Sequence, residues 1–360
     1  MRTWLKPLIP TLAIFVSLLA LVPACASLPT IDPAVIGQWQ LPGNPQHPAV
    51  TAGVSGVIDG QTYLFLAAFD SLSEQTTLHV LSLKDPQNPV EVGSIVSMTP
   101  MVLDMELSGD LLYISGITQL LTVDVSVPVS PQVLSRYSLA PNTFSLLATS
   151  KNYAFLASNS NIITVDISNR ASPQGTASFD LQYSNLTAFK ISGSNLFVIA
   201  DDGLHIIDIS SPLSLKDSGF FPNPVDAQGK EASFNDLAIE GKYAYVTCET
   251  FGLWVLDISN PSSPTKVADF PTVKQATQIF ASGQLAYVID WQEPTKDGNV
   301  QHWLQVIDIS NPAEPKEIGS LPLPSDSQSY RFVEINNYIY WYGGSPSVQI
   351  INIYAPKATS

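Results

Sequence analysis

The sequence predicts an all-β protein: a seven-bladed β-propeller with four-stranded blades, its ring closed by pairing of the N-terminal and C-terminal strands. Three observations predict it. A short phrase recurs seven times along the 360 residues at a spacing of 42–51, the period of propellers and solenoids. Each unit divides into four short strands separated by turn signals. The chain also opens on a lone fourth strand and closes on a third strand, as if one unit were shared between the two ends.

In chain order, the first element is residues 1–24. Arg2 and Lys6 supply a basic start, an apolar run follows from Leu8, and Val22-Pro23-Ala24 leads to Cys25. This resembles a bacterial lipoprotein signal, cleaved before a Cys25 that then carries lipid. An ordinary signal peptide with Cys25 incidental, or an uncleaved membrane anchor, are the alternatives. Residues 25–32 read as a short tether and residues 33–356 as the propeller, with 357–360 as a C-terminal tail. "PAVIG" (Pro33–Gly37) matches "PKEIG" (Pro315–Gly319), so Ala34–Leu41 is the lone fourth strand, expected to lie beside Ser347–Ile353. Closure of this kind removes the open ends that a linear stack must cap.

The repeated phrase follows. Its copies are "LHVLSLKDPQNP", "LLTVDVSVPVSP", "IITVDISNRASP", "LHIIDISSPLSL", "LWVLDISNPSSP", "LQVIDISNPAEP" and a truncated "VQIINIYAP". The aliphatic run reads as a strand buried on both faces. An Asp column (Asp124, Asp166, Asp208, Asp257, Asp308, with Ser82 and Asn352 at the ends) stands where that strand stops, placed to accept turn N–H groups. Two prolines then end the strand and stiffen the turn. Past the turn comes a small residue in every unit (Gly93, Ser135, Ala177, Gly219, Ala268, Gly319), which predicts close approach of the neighbouring blade. In the unit 277–323, "TQIFASG", "QLAYVID", "LQVIDIS" and "KEIGSLPL" are the four strands. Nothing after the signal has a sustained helical period.

"LWVLDIS", "LQVIDIS" and "LHIIDIS" resemble the LVIVD-repeat family over nearly all of residues 33–356. The resemblance implies a bacterial or archaeal, mostly extracytoplasmic β-propeller and carries no shared catalytic motif. Ser82, Arg170, Leu215 and Asn352 depart from the pattern.

Composition narrows the partners. Removing residues 1–24 lowers the 16 basic residues to 14 against 31 acids, and the net charge from −15 to −17. Such a chain opposes nucleic acid and anionic membrane surfaces. The second cysteine, Cys248, sits in a strand and reads as an inert buried thiol, and a Cys25–Cys248 disulfide would need Cys25 unlipidated.

Catalytic, phosphate-binding and calcium-loop motifs are missing, so no catalytic residue, cofactor or metal is expected. His79 and His205 share one repeat position, held elsewhere by Leu, Ile, Trp or Gln, and read as packing residues. Elaboration falls in three insertions: Ala68–Thr77, Pro222–Ala232 and Asp290–Trp303. In an up-and-down blade all three emerge on one face, and loops on a rigid scaffold carry function. The binding-face candidates are Asp70, Glu74, Asp202, Asp226, Glu231, Trp291, Glu293, Asp297, His302 and Trp303, with Asp201, Lys230 and Lys296 beside them. The expectation is a monomeric, lipid-anchored ring in the cell envelope that offers this face to a protein or glycan. The alternative is a propeller hydrolase or lyase with Asp104, Asp236 and Arg331 at the channel mouth; buried, mutually bonded ionisable groups there would favour it.

Overall fold

A computed structural model of the chain describes residues 28–42, 48–96, 101–139, 146–157, 161–272, 275–292, 301–323, 331–343 and 345–354. Cys25, Glu293, Lys296 and Asp297 lie outside the described residues. The fold is seven four-stranded antiparallel sheets, and no helix occurs among the described residues.

Six blades are continuous in sequence: blade 1 (48–95), blade 2 (102–138), blade 3 (146–180), blade 4 (188–222), blade 5 (234–270) and blade 6 (275–323). Blade 7 combines the strands Arg331–Ile335, Tyr338–Gly343 and Ser345–Asn352 with Ala34–Gln40 from the other end of the chain. The closing register runs from Ala34 opposite Asn352 to Gln40 opposite Ser347, as the sequence predicts. Residues before this strand continue onto blade 6: the Ile31 N–H donates to the Ile318 carbonyl at 2.8 Å, and the Leu28 N–H to Asp308 Oδ2 at 2.7 Å.

Burial falls from the middle of each blade to its outer edge. The second strand of blade 2, Leu111–Gly116, is buried throughout, whereas its outermost strand, Gln132–Ser138, is largely exposed. There is no single central core. Seven apolar clusters form instead, each drawn from two adjacent blades, and the last joins Tyr340, Tyr342 and Ile350 of blade 7 to Leu64 and Leu66 of blade 1. The ring is closed by packing as well as by pairing.

The Asp column performs the turn role expected of it. The N–H two residues on donates to Asp124, Asp166 and Asp208 at 2.8 Å, to Asp257 and Asp308 at 2.9 Å, and to Asn352 at 2.9 Å. The small column also has a physical reason. A Cβ on Gly93 would collide with the Pro128 carbonyl in the Pro turn of blade 2, and one on Gly219 with the Pro261 carbonyl in that of blade 5. At Gly319 the neighbour is Ile31, so the N-terminal segment takes the place of a turn. The residue before the small one is a β-bulge in every blade, among them Val92, Leu134, Val267, Ile318 and Ile36. Nothing in the residue pattern of the repeat marks these bulges.

Candidate functional site

Two regions of the ring hold the residues of interest: the elaborated face and the mouth of the channel. On the face, several candidate acids are occupied with their own turns. Asp70 accepts from the Leu72 N–H at 3.0 Å and the Ser73 hydroxyl at 2.8 Å. Asp226 accepts from the Gln228 and Lys230 N–H groups at 2.9 and 2.8 Å. Glu74 stands exposed at the end of the Asp70 turn with φ 53°. The third insertion is shorter than expected. Strands Leu285–Gln292 and Gln301–Asp308 run on into it, pairing Asp290 with Trp303 and Trp291 with His302. The alternation of the sequence there sustains the ladder. Trp291 and Trp303 are therefore half-buried strand residues. His302 is buried and not presented to solvent, and burial pushes its pKa down to about 4.

The structure does gather one group of face residues. Asp201, Asp202 and Glu231 line a shallow depression with Tyr183 and Ser184. Asp201 accepts from the Ser184 hydroxyl at 2.8 Å and N–H at 3.2 Å, bonds that hold its carboxyl below the usual range. Asp202 meets His205 Nε2 at 2.7 Å, and the His205 ring stacks on Tyr183 with centroids 3.6 Å apart. His79, at the equivalent repeat position, is buried edge-on to Trp39, with Nδ1 3.1 Å from Glu91 Oε1. Both histidines pack as expected. Cys248 is a free, buried cysteine whose thiol burial pushes up. Among the described residues, no group of three or more His, Cys, Asp or Glu is placed to hold a metal.

The channel is a cavity of about 450 Å³ touched by all seven inner strands: Gly53, Asp104, Leu146, Ala188, Asp236, Gln278 and Arg331 each line it. Of its ionisable lining, Asp104, Asp236 and Arg331 were legible in the sequence and Lys190 was not; Glu106 and Glu240 stand on the same inner strands outside that lining. Their arrangement is a set of ties between blades. Asp104 accepts from the Met105 N–H at 2.9 Å and, 43 residues on in blade 3, from the Leu147 N–H at 3.0 Å. Asp236 repeats this with the Leu237 N–H at 2.8 Å and the Ile279 N–H at 3.1 Å, again 43 residues on. Glu240 reaches the Gly283 N–H at 3.2 Å with the same offset. Glu106 accepts from both the N–H and the hydroxyl of Thr149, while its Oε2 is buried without a partner. Burial pushes its pKa up to about 7, against the Thr149 bonds. The Asp236 carboxyl is likewise raised by burial, which outweighs Lys190, its two backbone bonds and Arg331. Arg331 of blade 7 donates at 3.0 Å to the Leu103 carbonyl in blade 2, two blades on around the ring.

These contacts give the mouth a bracing chemistry. Inner-strand N–H groups on a channel edge have no ladder partner, and a carboxylate from the preceding blade satisfies them. Among the described residues, Asp104, Asp236 and Arg331 bond to backbone, and no ion pair links them. Mutually bonded ionisable groups, the arrangement that would mark a catalytic mouth, are not formed by these three.

Five segments, 101–138, 145–180, 188–219, 233–272 and 274–322, match the LVIVD repeat. This chain belongs to the LVIVD repeat family. The matched segments coincide with blades 2–6, and the flanking blades are the two whose phrases carry Ser82 and Asn352 in the Asp column. No curated protein matches the chain. Solved propellers share the fold at low identity. The Pan2 WD40 domain of Neurospora crassa aligns with a TM-score of 0.61 at 11% identity, over 92% of this chain and 98% of that one. Sqt1 of Saccharomyces cerevisiae aligns with a TM-score of 0.58 at 8% identity, over 92% and 100% of the two chains. For an LVIVD-repeat chain these likenesses show architecture alone.

Proposed function

We propose that this propeller is a non-catalytic scaffold of the cell envelope, anchored through lipid on Cys25, that presents its elaborated face to a protein or glycan. The observation that supports this reading most is the division of labour between acids. Asp104 and Asp236 at the channel mouth are committed to backbone N–H groups of the next blade, whereas Glu74 and Glu231 on the face stay exposed. A repeat ring with one polar, loop-bearing face and braced inner strands is suited to display. The extracytoplasmic setting rests on the N-terminal sequence and the family.

The test is site-specific photocrosslinking in intact cells. A photoreactive residue replaces Leu72, Glu231 or Trp303 on the elaborated face, or Val129 or Leu213 in the Pro turns of the opposite face. Adducts of discrete mass from the first set and none from the second are expected. The reverse pattern, or adducts from neither set, overturns the display reading. Cys25→Ser should leave an unprocessed precursor or release the chain from the membrane fraction. A processed mutant that fractionates like the parent overturns the anchor.

A further inference from the structure

The channel holds two cations whose donors are largely uncommitted. Lys190 projects from the inner strand of blade 4, is exposed, lines the cavity, and forms no hydrogen bond or ion pair among the described residues. Among the described residues Arg331 makes one hydrogen bond, from Nη1 to the Leu103 carbonyl, and a guanidinium carries five donors. The carboxylates of the same cavity are the reverse case. Both oxygens of Asp104 and both of Asp236 already accept backbone N–H groups. The formal charge of the mouth is thus misleading: each carboxylate oxygen of Asp104 and Asp236 already accepts a backbone N–H, whereas most donors of Lys190 and Arg331 are not engaged among the described residues.

A second observation concerns shape. Phe280 lines the same cavity and is 36% exposed, with its ring 6.3 Å edge-on from that of Phe332, which also lines the wall. Pairing through the blades places Phe280 and Lys190 at the same height in the ring, one alternation below Arg331 and Asp236. An apolar wall beside an unpaired cation faces a cavity of about 450 Å³, a size that suits a small organic molecule.

We infer that the channel is a binding site for a small organic carboxylate, its head on Lys190 and Arg331 and its apolar body against Phe280 and Phe332. A monoanion fits better than a phosphate dianion, because Asp104 and Asp236 remain nearby and a second negative charge meets them. A planar carboxylate also matches the guanidinium fork. The inference is independent of the face proposed above, since it uses none of its residues.

Calorimetry on the full-length chain in detergent tests it with four probes: 3-phenylpropanoate, its neutral amide, 3-phenylpropylamine and inorganic phosphate. The carboxylate should bind with a Kd below about 1 mM, and the amide at least about tenfold more weakly, for want of a charge-assisted bond. Lys190→Gln, in a variant whose melting transition shows it folded, should weaken the carboxylate by at least about tenfold. Phe280→Ala should weaken it severalfold and leave phosphate unaffected. Tighter binding of the amine, an unchanged Kd in a folded Lys190→Gln variant, or no heat from the carboxylate overturns the site. Phosphate binding as tightly as the carboxylate, or indifference to Phe280→Ala, overturns the organic body of the ligand.

Discussion

Asp308 shows how one residue of a repeat acquires a second duty. Its counterpart Asp124 accepts the Ser126 N–H, a role that Asn352 fills with an amide oxygen. Asp308 accepts the Ser310 N–H and also, through Oδ2, the Leu28 N–H at 2.7 Å. An Asn at 308 would turn an NH₂ toward that second donor, leaving two donors face to face. Asp308→Asn should therefore cost about 1–2 kcal/mol in urea unfolding, and Asp124→Asn less than about 0.5. Equal costs would mean that the Leu28 contact is unimportant. Glu106 makes a prediction about pH. Its pKa is raised from 4.5 to about 7 by burial, so folding favours the protonated form. Its stabilising contribution is complete below about pH 4.5 and is lost as pH rises through 7. Buried His302, lowered from 6.5 to about 4, acts oppositely and costs stability as pH falls across that interval. Both proteins share His302, so the comparison with Glu106→Gln isolates the carboxyl. Parent Tm minus variant Tm, followed by calorimetry, should fall between pH 4.5 and 8, and a flat difference would refute the assignment. That His302 would be buried was not legible, because only the pairing of the strands flanking the third insertion, with Trp291 opposite His302, draws it out of the loop.

At the scale of the element, the unit that the sequence disclosed well is the phrase from buried strand to Pro turn. Its capping bond spans two residues, and its prolines mark where the ladder must end. The small residue was legible as a packing position, but its seat, a carbonyl in the next blade's Pro turn, was not. Nor was the bulge beside it, since an unpaired residue such as Val92 is defined only by the register of its partner strand. The channel ties were hidden for the same reason. Asp236 and Ile279 are 43 residues apart in two different blades, and only the ring brings that N–H to that carboxylate. Gly219 tests the seat. A methyl there meets the Pro261 carbonyl, which is rigid backbone, so either the blades separate or the bulge shifts. Gly219→Ala should destabilise by about 1–3 kcal/mol, although alanine usually improves on glycine in a strand. Ala177→Gly, at the same position of blade 3, should cost only about 0.5–1 kcal/mol. If alanine at 219 is neutral, the interlock between bulge and turn does not set blade spacing.

For the whole molecule, closure was the most legible feature, because matching phrases at the two ends allowed one completed blade. The structure adds its reach. Residues 28–40 pair with the C-terminal strand of blade 7 and dock on blade 6 through Leu28 and Ile31, which join the blade 6–7 cluster. Leu41 and Trp39 join the cluster between blades 7 and 1. One segment thus ties three of the seven blades, and its loss would strip two inter-blade clusters and leave the Ser345–Asn352 strand with an open edge. Each cluster is shared between neighbours, so damage at the seam reaches the whole ring. Deleting residues 28–41 should lower Tm by at least about 10 °C, the loss of several kcal/mol in a chain of this size. Deleting an equal length elsewhere in the sequence would not separate pairing from simple truncation, so the decisive arm is rescue. A synthetic peptide of residues 28–42, added during refolding, supplies the missing strand by β-augmentation. It should restore the parental melting transition, whereas a peptide with Val35, Gly37 and Trp39 replaced by proline should not, because proline cannot donate to the ladder and does not fit the strand. Parental melting without the peptide, or equal rescue by both peptides, would show that the ring does not depend on this pairing.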